Sequence, residues 1–181
     1  MKKQSNVRYI LRLALTLLLI TGTVAAALAG VNSLTADRIA HLRTEKTMLA
    51  INRVLPEGSG EPVLTEVGQE IVKALYTTNA GYAVEVTPSG FDGAISMMVG
   101  ICDGKVTGIS IISHTETPGL GAVAAADNAA GEAFRDQFIG AEGDLAVTKD
   151  GGTIDAITSA TITSRAVAQG VTDALAVQIV K

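Results

Sequence analysis

The sequence predicts an α+β fold, an antiparallel sheet with packed helices, preceded by one N-terminal transmembrane helix. Three observations carry that expectation. Residues 13–31 form a run without charge behind a basic N-terminus. Asp103-Gly104 separates two strand-like runs, and a hydroxyl-dense stretch over 155–163 leads into a segment with helical apolar spacing.

Lys2, Lys3, Arg8 and Arg12 precede the uncharged run. As a helix rising ~1.5 Å per residue it reaches about 28 Å, close to the hydrocarbon thickness of a bilayer. Ala27-Leu28-Ala29 also fits the small-residue pattern of a signal-peptide cleavage site. A retained anchor is the favoured reading, because the apolar character continues from Val24 through Val31 and completes a span. Basic residues before the run, against mixed charges after it, predict a cytoplasmic N-terminus and an exported remainder. Residues 32–55 follow with a polar helical pattern whose apolar positions are Leu34, Ile39, Leu42, Leu49 and Val54, a stalk or a helix packed on the domain. Two prolines and two glycines in 56–62 end it. The expected organisation is an anchor at 1–31, a stalk helix and linker at 32–62, and one domain at 63–181.

Composition removes several classes of function. The 181-residue chain has a net charge of -4, no Trp and 3% aromatic residues. Nucleic acid is therefore not an expected partner, since there is neither a basic face for phosphates nor a stacking platform. Cys102, the only cysteine, excludes an internal disulfide and a thiolate cluster, and it reads as a small core residue. His41 and His114 lack the spacing of a metal pair, so no metal site is expected.

Within the domain, strand patterns run over 82–86, 94–102 and 106–113. Asp-Gly between the last two signals a tight hairpin, because both residues accept positive φ. Gly90-Phe-Asp-Gly93 is a turn before them. The loop from His114 to Gly121 gathers a proline, two glycines, hydroxyls and a carboxylate, and reads equally as a functional loop or as a strand-to-helix turn. An Ala-rich helix is expected over 122–138, with Phe134 and Phe138 as an i, i+4 pair facing the sheet. A strand over 144–147 and a turn at 149–152 follow. Thr158, Ser159, Thr161 and Thr163 then stand just before Ile162, Ala166, Val167, Val171 and Leu175, the apolar face of a last helix. A helix beginning among those hydroxyls suits a side-chain cap or a bound phosphate, and taken alone the stretch favours the cap.

Taken together, the N-terminal anchor, Gly90-Phe-Asp-Gly93, the Asp-Gly hairpin, His114-Thr-Glu-Thr-Pro-Gly-Leu-Gly121 and Asp155-Ala-Ile-Thr-Ser-Ala-Thr161 resemble a known family in order and spacing. It is the FMN-binding domain shared by the G subunit of the Rnf electron transport complex and the C subunit of the sodium-translocating NADH:quinone reductase. The resemblance covers nearly the whole chain. In that family the last threonine of a Ser/Thr-Gly-Ala-Thr motif preceded by Asp holds FMN through a phosphoester bond, and its counterpart here is Thr161. Asp155, Thr158, Ser159, Ala160 and Thr163 complete the implied attachment site. Ser159 stands where the motif usually has Gly, adding a side chain where backbone approaches the phosphate. The resemblance also implies that His114, Glu116, Thr117, Pro118, Gly119, Leu120 and Gly121 lie beside the flavin ring.

The resemblance thus implies a single-pass flavoprotein in the inner membrane, its C-terminal domain extracytoplasmic, carrying electrons through covalently bound FMN. Its implied partners are the other membrane subunits of an Rnf-type ion-translocating ferredoxin:NAD oxidoreductase and a flavin transferase that uses FAD as donor. Thr161 is then a modification site, and no residue is expected to be catalytic. The alternatives are the equivalent subunit of the sodium-translocating quinone reductase, or a non-redox exported binding domain in which Thr161 caps a helix.

Overall fold

The computed structural model describes residues 2–65 and 72–177, with side chains from Val7 onward. The chain divides into two units, Met1–Glu45 and Lys46–Lys181.

The first unit is a single helix, the beginning of α1 (Lys2–Val54). Its most apolar window has a mean hydropathy of 2.1 and no buried residues, so it is long and apolar enough to cross a bilayer. Three threonines interrupt its apolar surface. Thr16, Thr21 and Thr23 each donate to the carbonyl four residues back, on Arg12, Leu17 and Leu19, at 2.7, 2.9 and 2.7 Å. Their hydroxyls are thereby satisfied inside the helix, as a hydrocarbon environment demands.

The second unit is built on a five-stranded antiparallel meander: β1 (Val63–Thr65), β2 (Val72–Thr77), β3 (Tyr82–Val86), β4 (Ser96–Cys102) and β5 (Lys105–Ser113), each paired with its sequence neighbour. Asp103 and Gly104 take φ of 51° and 77°, and Cys102 pairs with Lys105 across this two-residue turn, the expected hairpin. Alternation along the strands divides the sheet between two cores. Val84, Val86, Met97, Val99 and Ile101 face one side, with the helices α2 (Ala129–Asp136) and α3 (Thr161–Leu175). Ala83 and Met98 face the other, where Ala50, Ile51, Val54 and Leu55 at the end of α1 cover them. Residues 46–55 therefore pack on the sheet. Gly100 permits the approach, since a Cβ there would collide with the Val54 carbonyl, and the Thr107 hydroxyl donates to that same helix-end oxygen.

Three local expectations are corrected. The helix expected over 122–138 is a 3-10 turn at Gly121–Ala125, then a break through Ala126 and a bend at Asp127 and Asn128, then α2. Asn128 accepts from the Gly131 amide at 3.0 Å, and this cap outweighs the helix propensity of the alanines before it. Gly131 lies against the carbonyls of Val123 and Ala126, which fixes the break. Phe134 and Phe138 still form the predicted pair, edge to face at 5.5 Å. The strand expected over 144–147 is also absent. Val147 makes only an isolated parallel bridge to Ile154, because Gly152 turns the chain back against Ala146 after too few residues for a ladder. Third, Ile162 is 49% exposed, whereas Ala166, Val167 and Val171 are buried as expected.

Candidate functional site

The first turn of α3, the loop after β5 and the turn before β4 enclose a cleft of roughly 300 Å³. Glu116 holds these three segments together. It is 5% exposed. One carboxylate oxygen accepts from the Phe91 and Asp92 amides at 2.8 and 3.1 Å, and the other accepts from the Thr163 hydroxyl at 2.5 Å. Three donors to a buried carboxylate replace the water it has lost, at the strength of charge-assisted hydrogen bonds. Glycine is required around it: a Cβ at Gly90 or Gly121 would collide with the carboxylate. The Gly90 to Gly93 turn is further closed by its own backbone hydrogen bond of 2.7 Å and by the Thr115 hydroxyl donating to the Asp92 carbonyl at 2.6 Å.

Helix α3 begins without a side-chain cap. Its N-cap is Ala160, and among the described residues no side chain caps it. Ser164 instead fixes the approach to the helix, accepting from the Ile157 amide and donating to the Ala160 carbonyl, each at 3.0 Å. Thr163 is spent on Glu116. The helix therefore offers the cleft unpaired donors and the positive end of its dipole, a suitable place for an anion. Thr161 is the first residue of α3, half-buried at the cleft, so it does not cap the helix. Ser159 has φ of 62°, a left-handed conformation that glycine adopts without strain.

A charged brace flanks Thr161. Lys149 donates from Nζ to the Thr161 hydroxyl at 3.1 Å. Asp150 accepts from Arg165 Nε and Nη2 at 2.5 and 2.6 Å, and Arg165 lies one helical turn beyond Thr161. The Arg165 hydrogen bonds hold the Asp150 carboxyl below the usual carboxylate range, and Asp150 in turn raises the guanidinium.

Of the residues singled out from sequence, Glu116, Thr117, Leu120 and Gly121 line the cleft from the loop side, and Ser159, Ala160, Thr161 and Thr163 from the helix side. The cleft lining does not include His114, Pro118, Gly119, Asp155 or Thr158. His114 is half-buried, its Nδ1 out of water and without a hydrogen-bond partner. Gly119 has φ of 76° and open space around its α-carbon, so it shapes the loop through its conformation. Asp155 is exposed, and its backbone amide and carbonyl are both held by the Gln137 side chain. Sequence reasoning passed over Phe91, Ile162 and Lys149. Phe91 and Ile162 form apolar walls with Leu120, and all three are substantially exposed. An aromatic residue in a glycine-bounded turn, in a chain with only three Phe, was the available signal for Phe91.

The chain is similar to known proteins over most of its length. Residues 90–176 match the family model described as FMN-binding domain. The G subunit of the Na(+)-translocating ferredoxin:NAD(+) oxidoreductase complex of Acetobacterium woodii is 34% identical, over 94% of this chain and 92% of its own length. The G subunit of an ion-translocating oxidoreductase complex of Methanosarcina acetivorans is 32% identical, over 90% and 91% of the two chains. The corresponding protein of Pseudomonas aeruginosa is 34% identical, over 96% and 88%.

Proposed function

Because the chain belongs to the G-subunit family of Rnf-type ion-translocating oxidoreductase complexes, we propose that it carries electrons between ferredoxin and NAD through FMN covalently attached to Thr161. The observation that carries this reading is the uncapped start of α3 at a cleft with both apolar and anion-binding parts. The residues fit the group. Phe91, Leu120 and Ile162 offer apolar walls to a planar ring, Thr117 a hydroxyl at its edge, and the first turn of α3 its amides to a phosphate. Bound FMN supplies the redox chemistry, and the chain fixes its position and surroundings.

Attachment is a phosphoryl transfer. The Thr161 hydroxyl oxygen bonds to the flavin-side phosphorus of FAD, the pyrophosphate bond breaks, AMP departs with the bridging oxygen, and the hydroxyl proton is lost. A separate flavin transferase performs this step, so Thr161 is a substrate of modification. The product keeps one negative charge at the positive end of α3, which favours it. Asp155, Thr158, Ser159 and Ala160 present Thr161 to the transferase, Glu116, Thr117, Leu120 and Gly121 form the ring side of the site, and His114, Pro118 and Gly119 shape the loop that carries them. Attachment retains the cofactor outside the cytoplasm, where surroundings supply no FMN. The basic residues before the uncharged run support an extracytoplasmic second unit, and the other members of the complex are its partners.

The cap-only alternative loses its support, since Ala160 occupies the N-cap and no side chain caps α3. Flavin fluorescence after denaturing electrophoresis tests the proposal. Wild-type protein from its own membranes is expected to fluoresce, and Thr161→Ala is expected to be dark while Thr158→Ala and Thr163→Ala remain bright. A bright Thr161→Ala band would refute the assignment.

A further inference from the structure

We propose that Lys149 is a positioning residue for flavin attachment: its ammonium binds the phosphate group at Thr161, orienting the hydroxyl before transfer and pairing with the phosphodiester afterwards. This rests on the reading of Thr161 as the attachment residue. An ammonium has three donors and no acceptor, so in the 3.1 Å contact the Thr161 oxygen must accept. The hydroxyl proton is then directed away from Lys149, free to leave as the oxygen attacks phosphorus. A cation at this distance also favours the oxygen as it gains negative charge.

The placement is built by the fold. Lys149 sits in a single 3-10 turn, Thr148–Asp150, closed by Gly151 at φ 87°. The next residue, Asp150, is gripped at two points by Arg165 of α3, so this turn is fastened to the helix that carries Thr161. Among the described residues Lys149 forms no ion pair with a carboxylate. Stability gives an exposed ammonium little reason to prefer a threonine hydroxyl over water. Asp150 is held by the two Arg165 hydrogen bonds and feels Lys149 only through space, so the Lys149 ammonium and the positive end of α3 both face the Thr161 oxygen, suited to a singly charged phosphodiester. In the transfer the oxygen to phosphorus bond forms, the pyrophosphate bond of FAD breaks, AMP leaves with the bridging oxygen, and the proton passes to a base of the transferase.

The test is a time course of covalent flavin per protein, read by intact mass, on full-length protein with flavin transferase and FAD. Lys149→Gln is expected to slow labelling about tenfold or more, Lys149→Arg to restore most of the rate, and rising salt to slow wild type more than Lys149→Gln. Thr161→Ala is the control and takes no label. Labelling of Lys149→Gln at the wild-type rate, or a Lys149→Arg as slow as Lys149→Gln, would overturn the role of Lys149 while leaving Thr161 in place. Labelled Thr161→Ala would overturn the attachment reading itself. Equal melting temperatures of wild type and Lys149→Gln separate positioning from folding.

Discussion

Glu116 accepts three hydrogen bonds in a place that water hardly reaches, and they come from two different parts of the cleft wall. Removing the carboxylate leaves two amides and a hydroxyl without an acceptor. Glu116→Ala is therefore expected to lose on the order of 3 kcal/mol in urea unfolding and Glu116→Gln clearly less, since the amide retains an acceptor oxygen and gains a donor for Thr163. Ser159 makes the opposite case. Its left-handed backbone is a strained choice for any residue with a Cβ, so Ser159→Gly is expected to gain up to about 1 kcal/mol, seen as a higher melting temperature, with covalent flavin unchanged. The Asp150 carboxyl, depressed by Arg165, stays ionised wherever an ordinary carboxylate does. Its contribution is fully present above the unfolded pKa and is lost only as pH falls through the lower folded value. Labelling of Thr161 should thus show no step from this pair between about pH 5 and 8, and Asp150→Asn should weaken the placement of Lys149 at every pH in that window.

At the scale of elements, the parts written in local chemistry were legible and the parts decided by packing were not. Asp103-Gly104 specified its hairpin because both residues tolerate the φ values that the turn requires. The last helix was legible from its apolar spacing and the hydroxyls before it. The split of 122–138 was not, because alanine propensity points to helix throughout, while the break follows from an asparagine cap and from Gly131 seated against backbone carbonyls. Ile162 follows the core spacing and yet faces the cleft, since it lies in the first turn of α3, beyond the sheet's cover. Lys149 read as a turn residue, and only tertiary structure brings it to Thr161, twelve positions along the chain. Gly100 belongs to the same class of packing constraint. Gly100→Val is expected to force the end of α1 from the sheet at a cost of more than about 2 kcal/mol, whereas Gly104→Ala, with open space around it, should lose only what its positive φ demands, about 1 kcal/mol.

For the whole molecule, the apolar run of α1 and the FMN-binding domain fit one purpose, a redox group tethered to a membrane. The helix satisfies its own threonines and is exposed along its apolar length, as a bilayer-embedded segment requires. Protease added to sealed, right-side-out membranes is expected to digest residues 63–181, and protection of that segment would place it in the cytoplasm. The central claim is that a single threonine at the start of α3 bears the cofactor. Peptide mapping by mass spectrometry of the protein from its own membranes tests this most directly. The FMN phosphoester mass is expected on the fragment containing Thr161, with fragmentation placing it on that residue. The same mass on Thr158, Ser159 or Thr163, or an unmodified Thr161 fragment from protein that is yellow after purification, would contradict it.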